Sequence, residues 1–133
     1  MKKIEHIGIA VNDLESASII YEKLFGASAY KKEEVASEGV KTAFFRCGPN
    51  KIELIEAANP ESSIAKFIAK KGEGIHHIAF EVEDIQFEIT RLKKEGFVVL
   101  NEVPKKGADN KLVAFLHPKT TNGVLIELCQ EIQ

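Results

Sequence analysis

The stretch IEHIGIAVND, which begins at Ile4, returns as IHHIAFEVED from Ile75. A chain of 133 residues that repeats such a segment at one constant spacing is built from two copies of a single unit. Ile4, His6, Ile7, Val11 and Asp13 correspond to Ile75, His77, Ile78, Val82 and Asp84. Each copy runs into a helical pattern, LESASIIYEKLFG from Leu14 and IQFEITRLKKEG from Ile85. Leu14, Ala17, Ile20, Tyr21 and Leu24 recur at helical spacing in the first, and Ile85, Ile89 and Leu92 in the second. Asp13 and Asp84 suit the N-cap, where a short carboxylate accepts orphan amide hydrogens. Gly26 and Gly96 stand where a left-handed helix stop is expected.

Three strand-like segments follow each helix. They are ASAYKKEEV, GVKTAFFRCG and NKIELIEA in the first half, then FVVLNEV, KLVAFLHP and GVLIELCQ in the second. The segment NPESSIAKFIAKKGEG has no counterpart. Asn59 can cap it, Pro60 suits its first turn and Gly72 its end, so it reads as a linking helix. The expected fold is α+β: one domain over 1–133, made of two βαβββ modules, 1–58 and 74–133. A linking helix over 59–73 joins them, and pseudo-two-fold symmetry pairs them.

Side chains alternate across a strand, and this period explains the repeated histidine. Ile7, Ile9 and Val11 share the face a helix would cover, so His6 points the other way with Gly8 and Ala10. In the second copy His77 points away with Ala79. Ile52 and Leu54 face the core, which turns Glu53 outward; Ile126 and Leu128 do the same for Glu127. Each half thus sets one histidine and one glutamate on its uncovered face. Brought together by a pseudo-two-fold, His6, Glu53, His77 and Glu127 form a ligand set for a divalent metal ion. One such residue alone would read as structural; the recurrence at equivalent positions lifts the set above that reading.

Other residues carry weaker signals. His76 has the opposite parity to His77 and reads as structural. His117 lies near a turn, and Cys129 reads as a small filler. Lys105, Lys106 and Lys119 are plausible phosphate contacts among many surface lysines. No glycine-rich nucleotide loop or nucleophile elbow is present. A net charge of −2 gives no reason to expect a nucleic-acid or anionic-membrane partner. No apolar run is long enough to span a bilayer, and MKKIEHIG lacks the apolar core of a signal peptide. Two cysteines without CxxC spacing give no disulfide framework, and a cytoplasmic setting is expected.

Paired modules of this order, with His and Glu on matching strands, resemble the vicinal-oxygen-chelate (glyoxalase) superfamily. Within it, HIGIAVNDLESA, NPESSIAKFIAKKGEGIHHIAFEVEDI and FLHPKTTNGVLIEL resemble the methylmalonyl-CoA epimerases, across essentially the whole chain. The resemblance implies that His6, Glu53, His77 and Glu127 ligate one divalent ion, with Co2+ favoured over Zn2+, Ni2+, Mn2+ or Mg2+. At the position of Glu53 some epimerases carry glutamine. It implies an acyl-CoA thioester substrate, a homodimer, and epimerisation at C2 of methylmalonyl-CoA through a metal-stabilised enolate, with Glu127 as a base. Where some epimerases carry a further, non-liganding glutamate, this chain has Thr42. From the repeat, Glu53 is expected as the second base. The same ligands would serve a glyoxalase I (lactoylglutathione lyase) acting on a glutathione hemithioacetal. A metal-free small-molecule binding module of the same fold is the third expectation.

Overall fold

A computed structural model describes residues 1–133. The chain divides into two compact units: His6–His76, and Met1–Glu5 together with His77–Gln133.

In the first unit, β1 (Lys3–Ala10, of which His6 onward belongs here) leads into α1 (Leu14–Phe25). β2 (Lys31–Val35), β3 (Val40–Cys47) and β4 (Asn50–Ala57) follow. β3 pairs antiparallel with β2 and with β4, while β4 lies parallel to β1. The core is Ile9 of β1 and Val11 just past it, Ala43 and Phe45 of β3, and Ile52 and Leu54 of β4 against Leu14, Ala17, Tyr21 and Phe25 of α1. Asp13 caps α1 by accepting the Glu15 N–H, and Gly26 closes it in the left-handed region at φ +70°.

The apolar stripe of α1 differs from the expected one. Ile20 and Leu24 are 62% and 67% exposed. Ala17 and Ser18 are buried and Phe25 packs on the core, so the inward direction centres on Leu14, Tyr21 and Phe25. At about 100° per residue, Ile20 and Leu24 are carried well to one side of that direction.

The linking helix, α2 (Ser63–Lys71), starts later than Asn59 and Pro60 led us to expect. Its N-cap is Ser62, whose hydroxyl accepts the Ala65 N–H at 3.1 Å. Asn59 organises the turn before it, accepting the Glu61 N–H through Oδ1 at 3.1 Å. Gly39 is wedged into that turn at φ +64°, where a Cβ would lie 2.6 Å from Asn59 Nδ2 and 3.3 Å from Ser62 Cβ. We expect Gly39→Ala to cost about 1–3 kcal/mol, since it adds backbone strain to the clash. Urea unfolding of the variant measures this directly.

The second unit holds β5 (Gly74–Glu81, from His77 onward), α3 (Ile85–Lys94), β6 (Lys105–Lys106), β7 (Lys111–Leu116) and β8 (Ile126–Glu131). β8 is parallel to β5 and antiparallel to β7, repeating the first unit's arrangement. Ile85, Ile89 and Leu92 of α3 are buried against Val82, Ala114, Leu116 and Leu128, as their spacing predicts. Asp84 caps α3 by accepting the Phe87 N–H. A side chain from the last strand also seals each helix start: Leu14 N–H donates to Glu56 Oε1, and Ile85 N–H to Gln130 Oε1.

FVVLNEV does not form the expected strand. Its backbone pairs with β7 only through an isolated bridge, Val99 to Leu116. The Asn101 amide takes the place of a backbone rung: its Oδ1 accepts the Phe115 N–H at 2.9 Å, and its Nδ2 donates to the Val113 carbonyl at 3.1 Å. No helix is long and apolar enough to cross a membrane.

Candidate metal centre

The parallel register sets Gly8 beside Glu53 in the first unit and Ala79 beside Glu127 in the second. A glycine and an alanine leave lateral room, so each carboxylate can lean toward the histidine two positions earlier on the neighbouring strand. His6 Nε2 lies 3.3 Å from Glu53 Oε1, and His77 Nε2 lies 3.2 Å from Glu127 Oε1. All four residues are buried, with exposures of 3–6%. Burying carboxylates at this depth is expensive unless an opposite charge compensates them.

The donor chemistry fits a divalent cation. Metal–nitrogen and metal–oxygen bonds of about 2.1 Å put neighbouring ligand atoms roughly 3.0–3.4 Å apart at octahedral to tetrahedral angles. Each His–Glu spacing falls in that interval. Imidazole nitrogen with carboxylate oxygen is a mixed set open to several first-row ions.

Each pair also has an aromatic wall that strand-by-strand reading missed. Phe44 is the antiparallel partner of Glu53, and Phe115 the partner of Glu127. The His6 and Phe44 rings meet edge to face, 6.2 Å apart at 88°; His77 and Phe115 do so at 6.4 Å and 85°. The signal for them was present, because Phe44 and Phe115 lie 71 residues apart, as do His6 and His77. Glu53 and Glu127 lie 74 apart, so the connection between the last two strands is three residues longer in the second unit.

The other singled-out residues take structural places. His76 packs edge-on against Phe67 of α2, with centroids 4.9 Å apart. His117 caps the short turn after β7, its Nδ1 accepting the Lys119 N–H at 3.0 Å. Cys129 sits in a buried cluster with Ala79, Val113 and Phe115, and its thiol donates to the Phe80 carbonyl. Burial, followed by the charges of Glu127 and Glu5, pushes that thiol far above its ordinary range. It stays protonated and is no nucleophile. Thr42 is buried on β3, its hydroxyl donating to the Glu33 carbonyl at 3.3 Å. Lys105, Lys106 and Lys119 are exposed. Glu5, only 1% exposed, was not anticipated, because a lone glutamate early in a strand reads as solvated.

Residues 5–115 match the model of the glyoxalase/bleomycin resistance protein/dioxygenase superfamily. The chain belongs to that superfamily. An ethylmalonyl-CoA/methylmalonyl-CoA epimerase of Cereibacter sphaeroides is 43% identical over 130 residues, covering 96% of this chain and 97% of that one. The human mitochondrial methylmalonyl-CoA epimerase is 40% identical over 129 residues, covering 96% of this chain and 73% of that one. Among solved structures, a methylmalonyl-CoA epimerase in complex with methylmalonyl-CoA and ammonium superposes with a TM-score of 0.95 at 33% identity, covering 98% and 95% of the two chains. These matches agree with the α+β vicinal-oxygen-chelate fold that the sequence resemblance implies.

Proposed function

We propose that this chain is a methylmalonyl-CoA epimerase, a metal-dependent isomerase that inverts C2 of its acyl-CoA thioester substrate. The observation that carries the reading is the recurrence, one per unit, of a buried His–Glu pair at coordination spacing. The relatives favour this chemistry over the glyoxalase I reading, since they carry the epimerase name along nearly the whole chain.

Epimerisation requires a proton to leave one face of C2 and return on the other. In our reading His6, His77, Glu127 and Glu53 hold one divalent ion; His6, His77 and Glu127 are buried and of the right type to do so. Such an ion supplies Lewis-acid stabilisation of the charge that develops on the thioester oxygen, worth several kcal/mol. Carboxylates have two oxygens, so one engaged as a ligand leaves the other able to take a proton. Glu127 then serves as base on one face of C2 and Glu53 on the other. The Thr42 hydroxyl is committed to the Glu33 carbonyl and is far too weakly basic to replace either. Cobalt is the ion we favour, by resemblance, and elemental analysis of the purified protein identifies it. The protein in this reading is a cytoplasmic homodimer. Its two free cysteines accord with a reducing compartment, and exposed Ile19, Ile20 and Leu24 offer apolar surface for association.

Incubation of the metal-loaded protein with methylmalonyl-CoA in heavy water tests the proposal. Deuterium should enter C2 of both epimers in the wild type. With Glu53→Gln, exchange should persist from one epimer while interconversion stops. Complete loss of exchange from both epimers in each single variant contradicts separate bases. Absence of any exchange in the wild type, with turnover of the glutathione hemithioacetal, would restore the glyoxalase reading.

A further inference from the structure

The two units match in their His–Glu pairs and aromatic walls, but not in what lies next along the same strands. On β3 and β4 of the first unit, Arg46 and Lys51 stand directly opposite each other in the antiparallel register. Period two places them on the face that carries Phe44 and Glu53. Lys51 is also the register neighbour of His6 on β1. The corresponding residues of the second unit are His117, which caps its own turn, and Leu125.

Like charges directly opposite on one face of a sheet are destabilising. Both of these cations also approach the same ring. The Arg46 guanidinium lies 4.1 Å from the centroid of Tyr30, and Lys51 Nζ lies 6.0 Å from it. Tyr30 rests in turn on Phe44, at 6.1 Å between centroids, and Phe44 meets His6. A run of rings thus connects the buried imidazole to a half-exposed cationic edge. Cation–π attraction offsets part of the repulsion, and the guanidinium and ammonium donors are of the type that binds a planar or tetrahedral oxyanion.

We propose that Arg46 and Lys51, braced by Tyr30, form an anion subsite that receives an oxyanion group of the substrate. The corresponding positions of the second unit, His117 and Leu125, offer no such pair of cations, so the subsite belongs to the first unit alone. The inference rests on the acyl-CoA reading, whose substrate carries two kinds of such groups: the coenzyme phosphates and the free malonyl carboxylate.

Calorimetric titration of wild type, Arg46→Gln, Lys51→Gln and Lys94→Gln with two probes tests it. Lys94 lies exposed on α3 and controls for the change in net charge. Coenzyme A carries phosphates without the carboxylate; a methylmalonyl-pantetheine thioester carries the carboxylate without phosphates. Arg46→Gln and Lys51→Gln should each weaken one probe about tenfold, the loss of one charged hydrogen bond, while Lys94→Gln binds as wild type. Weakening confined to coenzyme A assigns the subsite to phosphate, and weakening confined to the pantetheine thioester assigns it to the carboxylate. Either supports the proposal. Affinities matching those of Lys94→Gln for both probes overturn it, as does a wild type that binds neither. A wild type that binds coenzyme A through these residues yet does not epimerise methylmalonyl-CoA would retain the subsite and sink the epimerase reading.

Discussion

Glu127→Gln should fold normally and lose about 10²–10⁴-fold in turnover of methylmalonyl-CoA. The amide keeps the size and shape of the side chain, so its place between Ala79 and Phe115 is undisturbed. Lost are the negative charge 3.2 Å from His77 and the ability to take a proton. On the proposed function both losses act on the same variant, since the residue serves as ligand and as base. Kinetics with excess metal separates them: turnover that recovers fully at high metal concentration means the carboxylate was only a ligand. Retention of near wild-type turnover without added metal would refute a catalytic role for Glu127. Circular dichroism and an unchanged unfolding midpoint establish that the fold survives.

Phe45→Ala should cost about 3–5 kcal/mol of stability, a large share of the roughly 5–15 kcal/mol that holds an ordinary domain. Phe45 is 1% exposed and joins β3 to α1 through ring contacts with Phe25 at 5.9 Å and Tyr21 at 6.3 Å. Removing the ring forfeits its burial and leaves a cavity between a sheet and a helix that cannot close fully over it. Equilibrium denaturation measures the loss; a change below about 1 kcal/mol would mean the packing relaxes far more than an interior at normal density allows.

The parity of His6, Glu53, His77 and Glu127 was legible in the sequence because a strand's alternation is local. So were the caps Asp13 and Asp84, whose chemistry reaches no further than the first turn of a helix. What resisted reading depends on partners far along the chain. Phe44 and Phe115 gain their role from the antiparallel register with Glu53 and Glu127, which is set by hairpin length rather than by either strand. Asn101 breaks an otherwise convincing strand because its amide reaches two β7 residues, a choice no periodicity records. Ser62 displaced Asn59 as the cap of α2 because both are good capping residues and only the turn around Gly39 decides between them. The Arg46–Lys51 opposition is likewise invisible until the two strands are laid side by side.

The extra three residues of the second unit fall in the tip joining its last two strands, and the position is instructive. Within β4 or β8, gaining or losing a single residue would rotate every later side chain to the opposite face, dropping the carboxylate among Leu and Ile and lifting an aliphatic chain into its place. Drift in length is therefore admissible only at the tips, where it alters the connection without disturbing the His–Glu pair itself. Insertions can accumulate there on a scaffold whose His–Glu pairs do not move.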